Sequence, residues 1–256
     1  MSQENARIQT RMRTPSCDAG LDSRPTGGAE QTLNIDRDCG GMTALTRVSN
    51  LGIGALAAGA ALVALLGVLP SSTPVSVLRQ TISQYGLTSN SWIFNVAVLL
   101  IALGSAAILG ELWRERRLPG ASAVLGGLWT VGLLVIVAFP KTNWAVDAGS
   151  VGGALHRIAS VIAFVCLPIA VLRAASTAFP DAPGRRALAR VLGWASLGWF
   201  VAILAAVPVG LVVGGNWWEL IPLGLMERGL ALTEVLALVA LAAPVVQPAP
   251  LALTGS

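Results

Sequence analysis

Six apolar runs, each long enough to cross a bilayer, follow one another along this chain. A helix that spans the hydrocarbon core needs about 20 predominantly apolar residues, and only helices and closed barrels satisfy their backbone hydrogen bonds in lipid. The runs lie near 49–69, 92–113, 120–140, 154–175, 190–213 and 220–246. The predicted fold is therefore all-α, a polytopic transmembrane bundle with six spans.

Composition and charge support a membrane protein and argue against nucleic-acid binding. Apolar residues make up 54% of the chain and charged residues 12%, whereas soluble domains contain about 25% charged residues. Among the loops between the runs, the second and fourth hold most of the basic residues, namely Arg114, Arg116, Arg117, Arg185 and Arg186. Short loops rich in Lys and Arg stay on the cytoplasmic side. Both termini are therefore predicted to be cytoplasmic.

The chain divides into three segments by character. Residues 1–46 are polar and lack apolar periodicity, which predicts a disordered cytoplasmic tail. Met42 directly precedes the first run, so residues 1–41 are alternatively a start-site extension. Residues 47–246 form the predicted transmembrane domain, and 247–256 form a short C-terminal tail.

The last run carries three ionisable residues, Glu227, Arg228 and Glu234. Such groups are costly in lipid and usually face the interior of a bundle. Glu227 and Glu234 are seven residues apart and so share one helix face. His156, at the outer mouth of the fourth run, lies at a compatible depth, which makes a polar pocket that opens outward geometrically feasible. The alternatives are an Arg228–Glu227 pair that ties helices together and an interfacial hydrogen bond for His156.

The first and second outer loops supply further candidates. Apolar residues at Val75, Leu78 and Ile82 recur at helical spacing and predict a short amphipathic helix on the membrane surface. Ligand-binding residues are sought here and in the last run, with the candidates Arg228, Tyr85, Ser83 and Trp144. Asp147 is a candidate acid, with a solvated loop position or an N-cap as the alternative.

Cysteine and histidine usage bears on metal and redox chemistry. The three cysteines show no paired spacing, and His156 is the single histidine. A multi-histidine zinc site cannot be built from one histidine. No metal and no cofactor is predicted.

Three short motifs stand out in order along the chain: Ile82-Ser83-Gln84-Tyr85, then Phe139-Pro140 followed by Gly153-Ala154-Leu155-His156, and Gly224-Leu225-Met226-Glu227-Arg228. Together they resemble the bacterial membrane family called domain of unknown function 998. The resemblance covers about residues 45–246 and implies a multi-pass protein of the bacterial cytoplasmic (inner) membrane, without an established reaction.

Two classes of function fit these residues. The first is a membrane protein whose outward-opening polar pocket engages a lipid, an isoprenoid or a membrane partner. The second is an intramembrane acid/base enzyme acting on a hydrophobic substrate, for example an isoprenoid cyclase or a lipid-modifying enzyme, since a carboxylic acid in an apolar site can donate a proton. The candidate catalytic residues are Glu227, His156, Asp147 and Glu234. Membrane lipids or a hydrophobic small molecule are the expected partners, and the oligomeric state is left open.

Overall fold

The computed structural model describes residues 29–72, 75–142 and 150–242, and this part of the chain is all-helical, with no strand. Six α-helices are joined by connections, and those between α1 and α2 and between α5 and α6 contain three segments of 3-10 helix in all. The α-helices are α1 (Ala29–Leu66), α2 (Ser91–Arg114), α3 (Gly120–Ala138), α4 (Val151–Ala178), α5 (Pro183–Val213) and α6 (Leu223–Ala242). The 3-10 turns are Pro70–Ser72, Ile82–Leu87 and Trp217–Glu219.

Five of these helices contain a segment long and apolar enough to cross a membrane. They are Val48–Leu66, Ser91–Arg114, Gly120–Ala138, Val151–Ala178 and Pro183–Val213. The sixth helix, α6, has 20 residues and contains Glu227, Arg228 and Glu234. The chain is thus a multi-pass helical protein, and the helices begin and end within a few residues of most predicted boundaries.

Contacts divide the chain into two compact units, Met1–Leu45 and Thr46–Ser256. The first unit contains the beginning of α1, which starts at Ala29, inside the stretch predicted to be a tail. Residues 1–28 and the C-terminal tail 247–256 lie outside the described residues. The disordered tail and the alternative start site stay predictions.

Small residues let neighbouring helices approach closely. A methyl group added at Gly59 of α1 would lie 2.7 Å from the carbonyl oxygen of Ala97 in α2. One added at Gly132 of α3 would lie 3.0 Å from the carbonyl oxygen of Ala159 in α4. Helices in lipid associate through such van der Waals packing, because burial of apolar surface cannot drive their association there.

The two ends of the bundle carry different groups of side chains. At one end, the Arg117 guanidinium donates to the Ala178 carbonyl at 3.1 Å, and that of Arg185 lies 4.6 Å from the centre of the Phe179 ring. We call this end the Phe179 end. The other end, called the Lys141 end, contains the connection between α1 and α2 and the start of α6.

Candidate functional site

The connection between α1 and α2 packs on the first turns of α6. The backbone N–H of Leu225 donates to the Leu78 carbonyl at 3.2 Å. A methyl group at Gly224 would collide with the carbonyl oxygens of Val77 and Gln80, so only glycine allows this approach. The predicted amphipathic surface helix is therefore wrong over 75–81, where the chain forms turns. These carbonyls bond to α6 instead of closing helical turns of their own.

Arg228 holds this connection in place. One guanidinium nitrogen, Nη1, donates to the carbonyls of Val77 at 2.9 Å and Gln80 at 3.0 Å, and also to Gly224 within its own helix at 2.9 Å. The other, Nη2, donates to the Tyr85 hydroxyl at 3.1 Å, and the guanidinium lies 5.6 Å from the centre of the Tyr85 ring. Tyr85 is fully buried. Both residues anchor the connection to α6.

Glu227 does not form an ion pair with Arg228. Its Oε2 atom accepts the backbone N–H of Ile82 at 2.7 Å, a short, charge-assisted hydrogen bond of the stronger kind. The alternative in which Arg228 and Glu227 form an ion pair that ties helices together is therefore wrong. Adjacent residues on a helix point about 100° apart, so Arg228 and Glu227 each reach a different part of the same connection.

Lys141 follows α3 in the chain and contacts the connection between α1 and α2. Its Nζ atom donates to Thr81 Oγ1 at 2.8 Å, and that hydroxyl lies 3.1 Å from Ser83 Oγ. Burial lowers the pKa of the Lys141 ammonium, while the nearby Glu227 carboxylate acts in the opposite direction. A cation and two hydroxyl groups thus meet next to Glu227.

His156 lies near the start of α4 and is buried. Ser150 caps this helix, because its side chain accepts the N–H of Gly153 at 3.2 Å. His156 Nδ1 lies 2.9 Å from the Phe139 carbonyl. A carbonyl oxygen only accepts, so Nδ1 carries the hydrogen and Nε2 of the neutral ring is an acceptor. Nε2 of His156 can therefore accept a hydrogen bond or a proton.

Residues of this polar cluster line two adjoining cavities. The larger, of about 420 Å³, lies between α1, α2, α3, α4 and α6. The smaller, of about 230 Å³, lies between α4, α5 and the connections at the Lys141 end. Residues common to both are Ser83, His156, Ser160, Phe164 and Glu227. Apolar side chains make up most of both walls, so the polar atoms are concentrated at the junction.

Glu234 lies in the wall of the larger cavity, two helical turns beyond Glu227. Its side chain is 1% exposed. Both carboxylate oxygens lack a hydrogen-bond partner among the described residues. The shared face expected from the seven-residue spacing is observed, because both glutamates line the same cavity.

The structure brings together some of the predicted site residues and leaves others apart. Ser83, His156, Glu227, Arg228 and Glu234 line the larger cavity, whereas Tyr85 lies beneath the Arg228 guanidinium. Asp147 and Trp144 lie outside the described residues, and the roles assigned to all these candidates stay predictions. Sequence reasoning did not select three residues of the cluster: Lys141, Thr81 and Ser160.

One signal in the sequence pointed to Lys141 and another to Ser160. Lys141 is the only lysine of the chain, and it stands in a loop between two spans. Ser160 follows His156 by one helical turn, which places both on one face. Thr81 gave no signal, because its contact with Lys141 joins segments about sixty positions apart.

Comparison with families of known proteins gives one assignment. Neither the curated proteins nor the solved structures contain a match to this chain. A family model described as "Protein of unknown function (DUF998)" matches residues 53–244, a range that contains α2 to α6 and most of the span in α1. The chain therefore belongs to the DUF998 family of proteins of unknown function.

Proposed function

We propose that this protein binds an amphiphilic molecule within its helix bundle, in the larger of the two cavities. The observation that carries the proposal is the cavity of about 420 Å³ that lies between five helices and has Glu227, His156 and Ser83 at its polar part. Ligand sites in proteins have volumes of about 300–1,000 Å³, mostly apolar walls and a few convergent polar groups.

The proposed topology has six spans, with α6 as the last, and places the Phe179 end in the cytoplasm. Arg117 and Arg185 lie at this end, and basic residues of short loops remain on the cytoplasmic side. In this topology the protein crosses the bacterial inner membrane, and its Lys141 end faces away from the cytoplasm. The three ionisable residues of α6 are compatible with a membrane-spanning helix. Glu227 and Glu234 are buried, and Arg228 bonds to backbone carbonyls.

An ion-conducting role fits less well. Conducting pathways have polar or charged faces along their length. Here the walls beyond the junction are apolar except for Glu234 and Arg228. An apolar cavity of this kind is suited to a lipid tail, an isoprenoid or another hydrophobic molecule.

The second candidate function is acid–base catalysis on such a molecule. It is favoured by His156 and Glu227, which line both cavities and supply a potential base and a potential acid. General acid–base groups typically contribute rate factors of about 10²–10⁴. Glu227→Gln would abolish turnover of a substrate while leaving binding in place, whereas a pure binding protein would yield no product at all.

Native mass spectrometry of the purified protein tests the binding proposal. We expect an amphiphile to be retained and then released on activation. Ala231→Phe places a ring in the larger cavity and should remove the retained molecule. Ala205→Phe makes the same change at an exposed position of α5 and should not. Equal retention by the two variants would refute the proposal.

A further inference from the structure

Glu234 is a buried acid whose partner is missing from the described part of the chain. Its two carboxylate oxygens accept no hydrogen bond from any described residue. The side chain is 1% exposed and lines the larger cavity. A carboxylate can accept at both oxygens, and a buried charge is normally paired. A group that enters the cavity is therefore the natural partner.

None of the described basic side chains that line the two cavities donates a hydrogen bond to Glu234. The Arg228 guanidinium donates to the carbonyls of Val77 and Gln80 and to Tyr85. Lys141 donates to Thr81 and lines the smaller cavity, whose wall does not include Glu234. Among the charged side chains of the larger cavity, Glu227 and Arg228 balance each other in formal charge. Glu234 is the acid that remains.

Aromatic side chains in the same wall favour a cation over a neutral polar group. Phe94, Trp129 and Phe164 line the larger cavity together with Glu234. The face of an aromatic ring carries partial negative charge and attracts ammonium groups, more strongly where water is excluded. A carboxylate combined with aromatic rings and apolar walls is the arrangement that suits a lipophilic amine.

We infer that the larger cavity takes a lipophilic amine, whose ammonium group pairs with Glu234 while its hydrocarbon part fills the apolar walls. This inference rests on the proposed function and narrows it to a class of ligand. An anionic amphiphile would bring its charge towards an acid that has no cation to offset it. A neutral alcohol can hydrogen-bond to the carboxyl group but cannot balance the charge of its ionised form, whereas an ammonium group can.

Two cage hydrocarbons that differ in one polar group provide the probes. 1-Adamantanamine carries an ammonium at neutral pH, and 1-adamantanol is its neutral counterpart of nearly the same shape. Binding of each to the full chain in lipid nanodiscs is measured by isothermal titration calorimetry. We expect the amine to bind at least about tenfold more tightly than the alcohol, a ratio that corresponds to one charge-assisted contact.

Variants assign the preference to one residue. Glu234→Gln should reduce amine affinity by about tenfold or more and leave alcohol affinity nearly unchanged. Glu234→Met, which is apolar and of similar volume, provides a second test if the buried amide impairs folding. Glu111→Gln is the matched control, because Glu111 is also buried with one unpartnered oxygen and lines neither cavity. It should bind both probes as the parent protein does.

The outcomes separate the inference from the function on which it rests. Equal affinity of the parent protein for amine and alcohol would overturn the inference and leave the binding function standing. An amine preference that persists in Glu234→Gln and Glu234→Met would also overturn it, since another group would then supply the charge. Failure of both probes to bind, together with no retained amphiphile in native mass spectrometry, would overturn the proposed function itself.

Discussion

Replacement of Gly224 by alanine tests how the connection between α1 and α2 is held on α6. The added methyl group would meet the carbonyl oxygens of Val77 and Gln80, which belong to the backbone and cannot rotate away. Arg228 donates to these same two carbonyls at 2.9 and 3.0 Å. Displacing the connection would therefore strain the contact and lengthen both hydrogen bonds at once.

The expected cost follows from these contacts. Overpacking of a close contact costs about 1–3 kcal/mol, and each hydrogen bond from a charged group contributes about 1.5–3 kcal/mol. Alanine gains at most about 1 kcal/mol over glycine from helix propensity. Partial exposure of the Arg228 contacts reduces their share, so we expect Gly224→Ala to lower the free energy of unfolding by about 3 kcal/mol.

The control and the assay make this expectation decisive. Gly127→Ala in α3 adds the same methyl group where nothing lies within 4 Å and should stabilise the helix by up to about 1 kcal/mol. Unfolding of both variants in mixed micelles, followed by tryptophan fluorescence, gives the two free energies. A Gly224→Ala protein as stable as Gly127→Ala would refute the close packing of the connection on α6.

Three further predictions use other parts of the structure. Glu227→Gln keeps an oxygen that can accept the Ile82 N–H, so we expect the free energy of unfolding to fall by only about 1 kcal/mol. In chemical unfolding, adding Arg228→Gln should lower it further. Recovery of stability in the double variant would restore the ion-pair interpretation. Burial lowers the pKa of Lys141, so the unfolded chain binds more protons between the folded pKa and the ordinary value, and the contribution of Lys141 to stability should rise with pH across that window. Melting curves of the parent protein and Lys141→Met at increasing pH check this, and equal slopes would contradict it. In a background without native cysteines, cysteines at Ser89 and Asn216 should react with an impermeant maleimide outside intact cells, and those at Glu115 and Pro183 should not; the reverse pattern would invert the proposed orientation.

The helices were largely predictable from sequence, because a spanning helix requires a long apolar run whatever its neighbours are. The run predicted at 92–113 is observed as Ser91–Arg114, and that at 120–140 as Gly120–Ala138. The family was also recognisable from short motifs, of which Gly224 to Arg228 is the clearest. The structure explains this motif, since Gly224 permits the close approach and Arg228 fixes it.

The connection between α1 and α2 was predicted less well. Helical spacing of Val75, Leu78 and Ile82 suggested a surface helix, but spacing reports only which residues share a face. It carries no information about where the backbone carbonyls of a segment find donors. Arg228, about 150 residues away in the sequence, provides those donors, and this long-range contact overrode the local pattern.

The sequence by itself determined the helical class, most of the helix boundaries and the shared face of Glu227 and Glu234, because each depends on local composition and a fixed helical period. Tertiary structure alone decided the hydrogen-bond partners of the ionisable side chains in α6. Folding gives Glu227 the N–H of Ile82, directs Arg228 to carbonyls rather than to its neighbour, and leaves Glu234 unpartnered in a cavity wall. Hydrogen bonds form between groups that the fold brings within about 3 Å, and the distances between segments far apart in the chain are set only when the helices pack.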